Sequence, residues 1–320
     1  MAALEFGRLS YGAANVGNLY RALTDEDAMA VLEAAWDVGI RYFDTAPHYG
    51  LGLSERRLGA FLRTRARDEF IVSTKVGRLL RANPEGEGRL DDTNDFAVPA
   101  TLKRVWDFSE DGIRRSLDES LTRLGLDSVD ILYLHDPEKS DVGLTTALNN
   151  GIPALAALRN EGLVSAIGIG SMSVAALDAA VRLDALDLVM VAGRFTLIDQ
   201  SALESVIPAC RDRRVGVVNA AVFNSGLLAK PTPDPTARYD YSAVSPELFA
   251  RTRQIADICS EFGVDLPTAA MQYPLREPVV RTVVVGGKNP EQIRQNAERM
   301  STDIPEGLWV SLIDQGLIPG

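Results

Sequence analysis

An alternation along the chain constrains its fold more than any other feature. Eight short apolar, β-branched runs are separated by longer amphipathic stretches: Leu9–Ala14, Arg41–Thr45, Phe70–Val76, Val129–His135, Ser165–Gly170, Asp187–Ala192, Gly216–Val222 and Thr282–Gly286. They read as continuous apolar stretches, the pattern of strands buried on both faces, and parallel sheets bury both faces. Strand–helix alternation repeated eight times predicts an α/β fold, a (β/α)8 TIM barrel. A doubly wound open sheet would need a phosphate-binding glycine pattern after an early strand, and Gly12, Gly17 and Gly39 do not make one. Residues 1–320 are expected to form a single barrel domain, since such barrels run past about 250 residues as one unit.

The helices announce their starts. Thr24 caps a run that opens on Asp25, Glu26 and Asp27 and ends at Gly39, with acids in the first turn where the helix dipole favours them. Ser54-Glu55 and Ser109-Glu110-Asp111 read as two more starts, and others fall near Ser173, Gln200, Ser245-Pro246 and Asn289-Pro290. In the last two, proline occupies the first helical position, where its missing N–H costs nothing. The stretches 80–102 and 230–245, rich in Gly, Asp, Asn, Pro and Thr, read as long loops. Both follow strands, so both are expected at the C-terminal face, where barrel sites form.

The net charge of −11 argues against nucleic acid and anionic membranes as partners. No 18-residue apolar run and no charged-then-apolar leader is visible, so a cytoplasmic protein acting on a small molecule is expected. Cys210 and Cys259 are far apart and are read as reduced core residues.

Three strands end on titratable residues: Asp44, Lys75 and His135, with Tyr49 five residues after Asp44. An apolar strand closing on a charged group makes a poor core and a good site. The four suit hydride chemistry. Moving a hydride to or from a carbon requires moving a proton to or from its oxygen, and a tyrosine hydroxyl can do this. Its reference pKa is about 10, and a lysine ammonium beside it is expected to lower that value. Asp44 would balance the lysine, and His135 would orient the substrate oxygen. His48 and His135 do not have zinc-ligand spacing, so no metal is expected and the hydride needs an organic carrier.

At these residues the sequence resembles the aldo-keto reductase superfamily. The resemblance runs over most of the chain: Gly39–Ala46 leading to Tyr49-Gly50, Glu55 and Leu58-Gly59; Ser73–Gly77; and Ser116–Leu126 with Val129–His135. It implies that Asp44, Tyr49, Lys75 and His135 are the catalytic tetrad and that the barrel is of the aldo-keto reductase type. Trp106–Ser109, His135–Glu138, Ala192–Leu197 and Phe223–Leu228 resemble the branch that contains aldose 1-dehydrogenases, acting on sugars such as L-fucose, and pyridoxal 4-dehydrogenases. Both convert a cyclic hemiacetal to a lactone. A general aldo-keto reductase and a cofactor-binding subunit with little turnover remain alternatives.

The resemblance also bears on the cofactor. Many members hold the 2′-phosphate of NADPH with a Lys-Ser pair after the last barrel strand and an arginine further on. Here Gly286, Gly287 and Gln292 stand in those places, so NAD is expected, with Lys288 or Arg294 the cations through which NADP would bind. Asn296 belongs to the same run. The usual Ser-Asn pair for the nicotinamide corresponds to Gly170-Ser171 and the usual glutamine to Ala192, leaving Ser171 as a contact. Ala220 replaces the usual stacking aromatic, so Phe223 is expected to cover the ring. Asn224, Ser225, Gly226 and Leu227 would hold the pyrophosphate. Substrate is expected against Asn15, Tyr20, His48, Trp106 and Phe195.

Overall fold

The computed structural model describes residues 4–240 and 242–320. Among them, eight parallel strands close into a barrel: β1 Leu9–Gly12, β2 Tyr42–Asp44, β3 Ile71–Val76, β4 Ile131–His135, β5 Ala166–Ser171, β6 Leu188–Ala192, β7 Gly216–Ala220 and β8 Val280–Val285. Each predicted run overlaps one strand, with β5 ending one residue after its run and β8 starting two residues before its own, and β8 pairs with β1 to complete the circle, Leu9 opposite Val283. The outer face of the strands packs on the helices, and a smaller cluster of Tyr42, Ile131, Tyr133, Leu188, Met190 and Val218 fills the barrel interior. That division explains the continuous apolar runs, because neither strand face meets water.

The helices are α1 Asp25–Asp37, α2 Leu53–Leu62, α3 Glu110–Leu124, α4 Leu144–Asn160, α5 Val174–Val181, α6 Val206–Arg213, α7 Pro246–Glu261, α8 Leu266–Gln272, α9 Pro290–Ser301 and α10 Glu306–Asp314. Thr24, Ser109, Ser173, Ser245 and Asn289 each accept the expected capping bond at the start of α1, α3, α5, α7 and α9.

Two helix starts differ from expectation. Helix α2 begins at Leu53 after Gly52, and Ser54 is not its cap. Its buried hydroxyl donates to Ala13 O at 2.7 Å and pairs with Thr45 Oγ1 at 2.8 Å. It therefore ties together the segments leaving β1 and β2. Near Gln200 there is only a 3-10 turn, Ser201–Leu203, and α6 starts at Val206.

The stretches read as loops carry strands of their own. Arg78–Ala82 pairs antiparallel with Leu102–Trp106, and Leu90–Asp91 with Phe96–Pro99. Tertiary contacts hold them: Arg104 grips Asp91 through two bonds of 2.9 and 2.6 Å. In the second stretch, Arg238–Tyr239 pairs with Ser242–Ala243, and Tyr241 lies outside the described residues. Cys210 and Cys259 are free and buried, and burial pushes both thiols up to about 12. No helix among the described residues is long and apolar enough to cross a membrane.

Candidate active site

Asp44, Lys75 and His135 sit at the C-terminal ends of β2, β3 and β4. The β2–β3 register sets Asp44 opposite Ser73. Lys75, two residues further on, shares that face of the strand. Lys75 Nζ donates to Asp44 Oδ2 at 2.6 Å, to Thr45 O at 3.0 Å and to the Tyr49 hydroxyl at 3.0 Å. Tyr49 is fixed by the turn after β2, where Gly50 at φ +61° packs so closely on Gly17 that a Cβ would lie 2.1 Å from the Gly17 carbonyl oxygen. His135 stands edge-on to Tyr49, ring centres 6.0 Å apart.

The ion pair is buried and supported from below. Ser73 Oγ donates to the second carboxylate oxygen of Asp44 at 2.7 Å. Tyr42 OH pairs with Ser73 Oγ at 3.0 Å and with Tyr133 OH at 3.2 Å. A continuous hydrogen-bonded chain thus runs from the Tyr49 hydroxyl into the barrel interior. Breaking a buried ion pair by removing one partner costs about 3–5 kcal/mol, so these contacts fix where Lys75 can sit.

Burial pulls Lys75 down, but Asp44 and Tyr49 outweigh it and its pKa is raised, so it remains an ammonium. Tyr49 departs from expectation. Burial raises its pKa, and the Lys75 ammonium pulling the other way does not cancel that rise. At neutral pH its hydroxyl therefore keeps its proton.

Both histidines are neutral. Burial, then Arg78 and other nearby cations, holds His48 and His135 well below the ordinary histidine value. Because the unfolded chain binds protons at these residues below about pH 6.5 and the folded chain does not, stability is present above 6.5 and lost as pH falls. The loss is up to about 1.4 kcal/mol per pH unit per histidine. The chain has only these two histidines. We expect the urea midpoint to fall steadily from pH 6.5 to 5.5, and His48→Gln to remove about half of that slope; a flat midpoint would contradict the buried neutral state.

These residues open onto a cavity of about 530 Å³ at the barrel mouth, within the usual size range of a small-molecule site. A model of the aldo/keto reductase family matches residues 8–309. The chain belongs to that family. It is 59% identical to a D-threo-aldose 1-dehydrogenase of Pseudomonas sp, over 99% of this chain and 96% of that one. A pyridoxal 4-dehydrogenase of Microbacterium luteolum is 37% identical over 97% and 94%. Among solved structures, a glycerol dehydrogenase from Gluconobacter oxydans has the same fold, with a TM-score of 0.77 at 19% identity, covering 98% of this chain and 94% of that one.

In this aldo/keto reductase the cavity brings together Asn15, Tyr20, Asp44, His48, Tyr49, Lys75, His135, Ser171, Asn224, Ser225 and Gly286. Two expected substrate residues lie elsewhere. Phe195 is buried in the core against Tyr273, ring centres 5.5 Å apart. Trp106 stacks on Phe108 and lines a neighbouring cavity.

The cofactor expectations divide in the same way. Phe223 packs against the cluster of Val222, Met271 and Val285 and does not face the cavity. Leu227 is core, and Gly226 is exposed and not among the lining residues. Gly287, Gln292 and Asn296 are not among the lining residues. Gln292 Oε1 accepts from Lys288 N at 3.0 Å, and Asn296 Nδ2 reaches Gly286 O at 3.5 Å.

Phe96, Asn94, Met172, Met190, Asp136 and Asp240 also line the cavity and were not foreseen. Only Asp136 carried a signal, as the residue after His135.

Proposed function

We propose that this protein is an NAD-dependent aldose 1-dehydrogenase that oxidises the cyclic hemiacetal of a sugar such as L-fucose to its lactone, with Asp44, Tyr49, Lys75 and His135 as the catalytic residues. The observation that carries the reading is the Tyr49–Lys75–Asp44 chain opening onto a cavity of sugar size, together with the 59% identity to a D-threo-aldose 1-dehydrogenase.

The residues at the cavity fit a nicotinamide cofactor. Ala221, Asn224 and Ser225 hold positive φ angles of 56°, 42° and 57°, and such strained backbone is kept where the surroundings over-determine it. Asn224 Oδ1 there is buried and unpartnered. Across the cavity, Ser171 Oγ donates to Glu138 Oε1 at 2.7 Å while Glu138 Oε2 is buried without a partner. Asn224, Ser225, Ser171 and Gly286 would hold the cofactor, and bound NAD+ would accept the hydride from the anomeric carbon.

The chain's own groups would handle the proton. In its tyrosinate form Tyr49 takes it from the anomeric hydroxyl, becoming the phenol, as the C1–H bond breaks and the carbonyl forms. Lys75, held by Asp44, stabilises that tyrosinate before the transfer. Neutral His135 has one ring N–H with which to hold the substrate oxygen in line.

NAD is favoured over NADP by what surrounds the run after β8. A Cβ at Gly286 would lie 2.4 Å from Asn15 Oδ1, and one at Gly287 2.6 Å from Ile293 Cδ1, so a Lys-Ser clamp would have to turn both side-chain ends aside. Gln292 is tied to the Lys288 backbone, and Arg294 lies 4.0 Å from Glu291.

With L-fucose, we expect kcat/KM to be at least tenfold higher with NAD+ than with NADP+, a difference of about 1.4 kcal/mol. A ratio favouring NADP+ would overturn the cofactor assignment. Turnover on pyridoxal alone would keep the hemiacetal chemistry and move the substrate to the second reading, which the 37% identity to a pyridoxal 4-dehydrogenase favours.

A further inference from the structure

A second cavity, of about 520 Å³, is lined by the hairpin strands that follow β3. Thr93, Asn94 and Lys139 line both it and the catalytic cavity, so the two adjoin. Five of its lining residues are cations, Arg78, Arg89, Lys103, Arg104 and Lys139, against two acids, Glu85 and Asp91; Asp136 beside the lining pairs with Arg78 and Lys139, and Arg89 and Lys103 stand at the exposed rim. The chain as a whole carries a net charge of −11, so this concentration of positive charge runs against the composition.

One of the cations is buried and a second is half-buried, and both are incompletely partnered. Arg78 is 6% exposed. It donates through Nη2 to Asp136 at 2.6 Å, and its guanidinium lies 4.5 Å over the ring of Trp106. Its Nε is buried with no acceptor. Arg104 spends Nη1 and Nη2 on Asp91 and the carbonyl of His48, and its Nε is likewise buried and unpaired. The two guanidiniums bear on each other: after burial, and against the pull of Asp136, Arg104 depresses Arg78, and both depress His48. Buried donors are almost always paired, and an exception marks a place for water or an ion. Guanidinium donors match the geometry of carboxylate and phosphate oxygens.

We propose that this cavity is an oxyanion-binding site, taking a carboxylate or phosphate group between Arg78 and Arg104, with Arg89, Lys103 and Lys139 contributing positive charge. Because the site adjoins the catalytic cavity, the oxyanion is either the acidic end of a substrate whose reacting carbon lies at Tyr49 or a separate small ligand. Binding itself does not rest on the aldose reading.

The test titrates inorganic phosphate into the full chain at constant ionic strength set with sodium chloride, reading tryptophan emission and melting temperature. Trp106 lines the site, and a Trp106→Phe control identifies its signal. We expect saturable quenching and a rise in melting temperature of roughly 3 °C at ten times the half-saturating concentration. The Arg89→Gln/Lys103→Gln double variant should weaken binding at least tenfold, and both residues are exposed, so the fold should survive. Arg104→Lys keeps the charge but loses the forked guanidinium donors and should also weaken it. An equal response to chloride, or phosphate binding unchanged in both variants, would overturn the site.

A second arm compares a hexose with its 6-carboxylate as substrates. A KM at least tenfold lower for the carboxylate, lost in the double variant, assigns the oxyanion to the substrate. Equal KM values with phosphate binding intact assign it to a separate ligand. If no aldose turns over, the aldose reading fails, and the phosphate titration still decides the site.

Discussion

Replacing Tyr49 with phenylalanine will lower turnover by about 10³-fold while leaving cofactor affinity within about twofold, the scale of losing a positioned proton-transfer group. The substitution removes one oxygen that accepts from Lys75. It leaves the 2.6 Å pair between Lys75 and Asp44 intact, so the site keeps its charges in place. Lys75→Met is the poorer experiment, because it strands the Asp44 carboxylate in a buried site and destabilises the fold by about 3–5 kcal/mol. The direction of the Tyr49 pKa adds a second readout. Since burial keeps the phenol protonated at neutral pH, the oxidative rate should climb with pH between 7 and 10, by about tenfold per unit while the phenol dominates. Reduction, which needs the proton on Tyr49, should stay flat over the same range. Tyr49→Phe should abolish the oxidative slope as well as the rate. Retained turnover, or an oxidative plateau near pH 8, would remove Tyr49 from the role of proton acceptor.

The residues that were legible in the sequence share a physical reason. Asp44, Lys75 and His135 stand out because each ends an apolar strand, and a charged group there must face the barrel mouth or remain unsatisfied. Five capped helices were legible because Thr24, Ser109, Ser173, Ser245 and Asn289 satisfy orphan backbone donors locally, whereas α8, capped by Asp265, was not read. Helices α4 and α10 follow Gly143 and Pro305 with no side-chain cap and gave no comparable sign. The hairpins after β3 were hidden for a different reason. Their turn-rich composition matches a loop, and long-range pairs such as Arg104 with Asp91 hold them. Phe195 was misplaced because an aromatic just past a strand end has the same local pattern whether it lines a mouth or packs on Tyr273. The pKa of Tyr49 was misjudged because a neighbouring lysine can be read from sequence, while the depth of burial opposing it cannot.

Gly59→Ala is expected to destabilise the protein by about 2–3 kcal/mol, lowering the melting temperature by roughly 4–10 °C, although the same exchange in an open helix gains about 1 kcal/mol. Gly59 lies inside α2 where it meets the end of α3. A Cβ there would sit 2.0 Å from the carbonyl oxygen of Leu124 and 2.5 Å from its carbonyl carbon and Cα. All three are backbone atoms, so no side chain can rotate away and the helices themselves must part. They are also joined by the Arg123–Glu55 ion pair at 2.5 Å and by Arg63, which donates to the Leu124 carbonyl at 3.2 Å. The damage should reach the site, since Glu55 on α2 accepts from Thr74 on β3 at 2.8 Å, next to Lys75. Gly39→Ala is the matched control. Gly39 has φ +88° with nothing within 4 Å of a Cβ, so alanine there meets only the conformational penalty of about 1–2 kcal/mol. We expect Gly59→Ala to melt below Gly39→Ala and to lose turnover before it unfolds, while Gly39→Ala keeps normal turnover until melting. If Gly59→Ala melts no lower than the control, the close approach of α2 to Leu124 is not what requires a glycine at this position.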